Sequence, residues 1–167
     1  MLKSQDILVL LKLAVRPTKD WSYHELATEL GMSPSEVHAA LRRAAAVNLY
    51  NASERRPVKK ALIELVTHAA KYVFPATRGA ITIGIPTAHA APPLNASFHK
   101  DDLPPVWPDP NGRVRGEAFE PLYPSVPKAI AKDKKLYELL ALVDAIRAGR
   151  ARERLRAEKL FAEMVGA

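Results

Sequence analysis

Ser35, His38 and Arg42 recur at steps of three and four residues, with Arg43 directly after them. On a helix of 3.6 residues per turn that spacing gathers hydroxyl, imidazole and guanidinium groups on one side. Val37 and Leu41, four apart, belong on the other side, against a core. A guanidinium can donate two parallel hydrogen bonds to the major-groove edge of guanine, or can meet a phosphate. The chemistry this pattern offers is recognition, not bond-making. Ser33, just before the run, is an N-cap candidate, and a helix N-terminus favours a phosphate. Further along, Arg55, Arg56, Lys59 and Lys60 form a basic corner, and Arg78 lies in the turn 76–79.

Other chemistries find no support. The chain has no cysteine, which excludes thiolate metal sites, disulfides and cysteine nucleophiles. His89, His99, Asp101 and Asp102 are residue types that bind zinc or manganese, but they lack helical ligand spacing and sit in a Pro-rich stretch, so no metal is expected. Glu117 and Glu120 stand without the rest of a glycosidase site, and Ser125 lacks a G-x-S-x-G setting. No phosphate-binding glycine loop is present. The expectation is a protein that is not an enzyme and needs no cofactor. His68 reads as a core histidine, and Trp21 and Trp107 as core anchors. Arg147, Arg150, Arg152, Arg154 and Arg156 are interleaved with Glu153 and Glu158, which favours a self-paired, solvated helix over a phosphate-binding one.

The elements that must carry the recognition residues are legible locally. Residues 4–15 predict a first helix capped by Ser4, with Asp6 in its first turn and Ile7, Leu10, Leu11 and Ala14 on one face. Residues 22–30 predict a second, with Ser22 and Glu25 as a capping box and Gly31 as a left-handed stop. The third starts at Ser33-Pro34-Ser35-Glu36 and runs to about Ala46. Helix, short glycine turn and helix then stand at helix-turn-helix spacing, with small Ala27 where the two helices cross. Residues 47–51 predict a short strand, 57–70 a fourth helix, 72–74 and 80–85 further strands, and 128–147 and 150–165 two C-terminal helices. Ten of the fourteen prolines lie between Pro86 and Pro127. That stretch also holds Trp107, Phe119 and Tyr123, too apolar for a bare linker, so it is expected to pack as an extended arm.

The segment YHELATELGMSPSEVHAALRRA, residues 23–44, resembles a winged helix-turn-helix regulator of the MarR-like kind. The likeness covers about the first 50 residues. The stretches KYVFPATRGAITIGIPTAHAAPP, GEAFEPLYPSVPKA and LYELLALVDAIRAGRARER are similar to those of a small bacterial group of regulators, some encoded near toxin–antitoxin or phage-defence modules. The resemblance implies a winged domain that binds DNA. It departs from the family in one respect: a helix at 57–70 stands between the candidate strands. The wing is then either the corner 55–60 or the turn 76–79.

Charge points the same way. The net charge is +7, from 25 basic and 18 acidic residues, with both flanks basic and the Pro-rich middle slightly acidic. A basic surface suits an acidic partner, although a solvated face with no partner has the same composition. The short apolar run at the N-terminus, broken by Lys12, fits neither a signal peptide nor a membrane span, and a cytoplasmic location without membrane contact is expected.

The expected fold is mainly α with a small β component: a winged helix-turn-helix domain over residues 1–80, the Pro-rich arm over 81–127 and a C-terminal helical pair over 128–167. The expected function is sequence-specific binding of double-stranded DNA by a transcriptional repressor. One short helix reads few bases, so a homodimer is expected, joined through the arm and C-terminal helices. The expected DNA contacts are Ser33, Ser35, His38, Arg42, Arg43, Arg55, Arg56, Lys59, Lys60 and Arg78. The alternative is an antitoxin-like interaction protein that grips another protein through its arm and C-terminal helices.

Overall fold

The computed structural model describes residues 1–166. It is a mixed α/β fold, mostly helical, with eight α-helices and two small β elements. Helix α1 (Ser4–Ala14) is followed by α2 (Tyr23–Leu30) and α3 (Pro34–Ala46). The local signals act as expected here. Ser22 Oγ accepts from the Glu25 N–H, and Gly31 ends α2 at φ 67°, ψ 34°. Ser33 Oγ accepts from the Glu36 N–H, with Pro34 in the first turn of α3. The start of α1 differs. Ser4 is not its cap, because its hydroxyl donates to the Leu122 carbonyl at 2.6 Å. Asp6 takes the Lys3 N–H instead, at 2.8 Å.

A hairpin follows α3 directly. Strand β1 (Tyr50–Asn51) pairs antiparallel with β2 (Arg56–Pro57), Tyr50 opposite Pro57 and Asn51 opposite Arg56. Asn51 Oδ1 accepts from the Glu54 N–H at 3.1 Å, which folds the loop back on itself. The helix thought to separate the strands comes after both. It is α4 (Lys59–His68), which breaks at Ala69 and resumes as α5 (Ala70–Val73). The strand expected at 72–74 is therefore mostly helix. Tyr72 and Val73 point to solvent there, with no neighbouring strand to satisfy. His68, read as a core histidine, is exposed.

The Pro-rich stretch folds. Strands β3 (Arg78–Pro86), β4 (Pro105–Pro108) and β5 (Val114–Phe119) each pair with the other two, β3 antiparallel to both and β4 parallel to β5. Close approach explains two glycines: a Cβ on Gly84 would lie 2.0 Å from the Trp107 carbonyl oxygen, and one on Gly116 2.0 Å from that of Pro104. A short α6 (Val126–Ala129) precedes α7 (Lys134–Ala148), which Asp133 caps, so the long helix expected from 128 begins only at Lys134. Helix α8 (Ala151–Gly166) closes the described chain.

One apolar cluster joins all of this. It runs from Ile7 through Trp21, Leu41, Trp107, Phe119 and Leu140 to Val165. Helix α1 is buried all round, with Ile7 to Leu11 each at most 1% exposed, because α3, α7 and β2 surround it. The stripe on α7 is likewise covered by its own chain, through α8, α1 and α5. A buried polar knot ties the sheet to α7. Asp144 accepts from Thr87 Oγ1 at 2.7 Å, Trp107 Nε1 at 2.8 Å and Arg147 at 2.8 Å. Burial pushes the Asp144 carboxyl above its usual range against those three donors. Arg147 is thus an interior residue that also donates to the Phe74 carbonyl at 2.7 Å, and not part of a surface arginine run. Glu153 leaves that run too: it is buried, accepts the Arg150 N–H, and lies 3.6 Å from His89.

Candidate nucleic-acid interface

Helix α3 is held onto the molecule by Val37, Ala40, Leu41 and Ala44, all buried. Its opposite side is open. Ser35, His38 and Arg42 are exposed along it, with Ala39 half-buried between them. The small residues keep the ridge low, and the polar groups stand clear of it. Among the described residues nothing is bonded to the Arg42 guanidinium.

Arg43 is elsewhere. Its Nε and Nη2 hold both oxygens of Asp6 at 2.9 and 2.8 Å, in a fork-to-carboxylate pair across 37 residues. Asp6 has no exposure, and its hydrogen bonds raise the guanidinium's affinity for its proton. The expectation that Arg43 shares the outward face with Arg42 is therefore corrected. Asp6 turns it back to fasten α3 to α1.

The N-terminal turn of α3 is also anchored. The Ser33 hydroxyl lies 3.1 Å from both Ser35 Oγ and Glu36 Oε1, so its first task is the cap. Tyr123 Oη donates to Glu36 Oε2 at 2.8 Å, reaching from the segment before α6. That bond holds the Glu36 carboxyl below its usual range and pushes the Tyr123 phenol up. Under the turn, a Cβ on Gly31 would lie 3.0 Å from Lys128 Cδ and 3.2 Å from Ser125 Cβ, and the glycine φ is positive as well.

A row of rings links the hairpin to α3. The Arg55 guanidinium lies 4.1 Å over the Trp21 ring and donates to the Trp21 carbonyl at 2.6 Å. Trp21 meets Tyr23 edge-on at 5.5 Å, and Tyr23 meets His38 at 5.3 Å. Arg55 has φ 54°, a left-handed conformation that these contacts sustain. Sequence alone makes Arg55 an expected DNA contact and Trp21 a core anchor; Trp21 is buried, and Tyr23 joins it to α3. The signal for Tyr23 is the W-x-Y spacing at the start of α2, but Arg55 is 34 residues from Trp21.

The remaining cations divide. Arg56, on β2, and Lys60, in the first turn of α4, are exposed, while Lys59 is half-buried and engaged. Glu54 is an exposed acid at the hairpin tip. Arg78 sits on β3, 3.4 Å from Glu117, 3.3 Å from the Ala148 carbonyl and over the Phe119 ring. None of these contacts is with α3 or the hairpin. The structure thus brings Ser35, His38 and Arg42 onto one helix face, places Arg56 on the hairpin that follows and Lys60 just after it, and gives Arg43, Arg55 and the exposed Arg78 partners within the chain, Arg78 on a separate sheet.

His89 Nε2 lies 2.6 Å from Asp101, so two of the four residues weighed as metal ligands do meet. Among the described residues no three histidine, aspartate or glutamate groups gather in a way that could hold an ion. No helix there is long and apolar enough to cross a membrane. No family model matches the chain, and no curated protein and no solved structure matches it either.

Proposed function

We propose that the protein is a sequence-specific DNA-binding regulator built on a winged helix-turn-helix, acting as a homodimer that represses by occupying its operator. The observation that carries this reading is the open face of α3. A helix whose far side is buried presents Ser35, His38 and Arg42 to solvent with only small residues between them. A two-stranded hairpin stands directly after it in the chain, in the order a wing takes. The three-residue step between the helices, the left-handed Gly31 and the capped start of α3 support a recognition helix that lies along a major groove. Arg42 reads a guanine edge, and Arg56 and Lys60 take flanking phosphates. The corner 55–60, not the turn 76–79, is the wing in this reading, because 76–79 leads into a separate sheet.

Selection of bound duplexes from a random pool, followed by titration of the winners against scrambled duplexes, tests it. Enrichment of a two-fold-related sequence and a preference of at least about a thousandfold over scrambled DNA are expected. A pool that never enriches would remove the DNA reading. The interaction-protein reading would then stand in its place.

A further inference from the structure

Helix α7 covers its stripe with its own chain, so an interface between copies has to lie elsewhere. The sheet offers one. Ile81 and Ile83 of β3 are 51% and 43% exposed. Alternate residues of a strand share a face, and so do residues directly opposite on an antiparallel neighbour. Ile81 is opposite Glu117 and Ile83 opposite Arg115. The four side chains therefore form one quartet: two isoleucines on β3, and a cation and an anion beside them on β5. Arg115 is exposed and has no partner among the described residues. Glu117 has only the long, solvent-facing contact with Arg78.

We infer that this quartet is the contact face of a symmetric dimer with a second copy of the chain. An isologous interface needs a patch that contains its own complement. A two-fold axis lying between two such sheets, across the strands, sets Ile81 on Ile83 of the second copy and Ile83 on its Ile81. The same operation sets Arg115 on the second Glu117 and Glu117 on the second Arg115. One axis satisfies the apolar pair and both ion pairs. The surroundings favour it as well. Each chain carries +7, so two copies repel in general, yet residues 79–99 contain no lysine, arginine, aspartate or glutamate. As the interface of the dimer that operator recognition calls for, this inference deepens the proposed function, but its test uses no DNA, so the two readings fail separately.

Sedimentation velocity or light scattering of the full chain, from micromolar to millimolar concentration, is the measurement. The parent is expected at twice the chain mass of 18.4 kDa. Ile81→Glu with Ile83→Glu is expected to run as a monomer with an unchanged far-ultraviolet spectrum, since both positions are at the surface. Arg115→Glu alone and Glu117→Arg alone each set like charges together, and each is expected to raise the dimer dissociation constant at least about tenfold. The exchange Arg115→Glu with Glu117→Arg restores opposite charges across the axis and is expected to restore the dimer. A parent that stays at 18.4 kDa throughout overturns the inference. So does a dimer indifferent to the isoleucine substitutions, or an exchange that fails to rescue.

Discussion

A helical step of about 100° separates consecutive side chains, and that step parts Arg42 from Arg43. Arg42 faces solvent, whereas Arg43 closes on a carboxylate with no solvent access. Truncating the two should have opposite signatures. Arg42→Ala is expected to leave thermal stability unchanged and to cost about 1–3 kcal/mol of discrimination between operator and scrambled duplex. Arg43→Ala strands Asp6 and is expected to lower unfolding free energy toward the lower end of about 3–5 kcal/mol, since a fifth of the arginine side chain still meets water. Urea unfolding and duplex titration on both variants separate the roles, and an Arg42→Ala protein with undiminished discrimination would mean that α3 is not the reader. The Tyr123 and Ser33 hydrogen bonds depress the folded-state value of Glu36, so its contribution to stability is complete above the ordinary carboxylate value of about 4.3. It is lost as pH falls through the depressed folded value. Tyr123→Phe removes the main cause, so the variant's stability deficit should be present at neutral pH and shrink toward acid. A deficit that stays constant from pH 7 into the acid limb would show that Tyr123 acts by packing alone.

At the scale of elements, what could be read from the sequence was what neighbours decide. Ser22, Gly31 and Ser33 act within a turn of their own positions, and their caps stand as expected. Gly31→Val forces a β-branched residue to φ 67° and sets its Cβ against Lys128 and Ser125, so a loss of about 1–3 kcal/mol is expected in thermal melting. The hairpin was obscured because each strand has two residues and the second ends on a proline. Residues 72–73 misled for another reason. Their β-propensity expresses packing on a pleated surface, and here no such surface lies beside them. The Asp6–Arg43 pair and the Trp21–Arg55 stack join residues more than thirty apart, which no local period reports. The hairpin carries its own prediction. Arg56→Ala with Lys60→Ala is expected to weaken operator and scrambled DNA equally, and to flatten the slope of log affinity against log salt by up to about two contacts. An unchanged slope would remove the hairpin from the interface.

Across the whole molecule, the α2–α3 pair is not free-standing. Helix α1 is its floor, yet the five residues Ile7 to Leu11 are covered from every direction. One side of that cover is α3 and another is α7, more than a hundred residues later. Lys12 repeats the link with a 2.7 Å bond to Asp133, the cap of α7, and Ser4 repeats it at Leu122. Tyr123 ties the start of α3 to the same stretch. Cutting the chain after residue 80 would therefore open the α7 side of α1 to water, remove two hydrogen bonds from α1 and strip α3 of its Tyr123 anchor. A fragment of about 80 residues buries a smaller share of its surface than the full chain, little more than about 60%, and so has little stability to give up. The full chain is expected to unfold in urea as one transition, coincident by fluorescence and far-ultraviolet dichroism. The fragment 1–80 is expected to show weak helical signal and no cooperative transition. A fragment that melts cooperatively, with the parent's helical content for α1 to α4, would mean that α3 is positioned without the C-terminal helices. In that case changes near α7 should not be felt at the open face of α3. A fragment that stays unfolded would mean that the helix carrying Arg42 depends on α7 for its position, through α1, which packs against both at once.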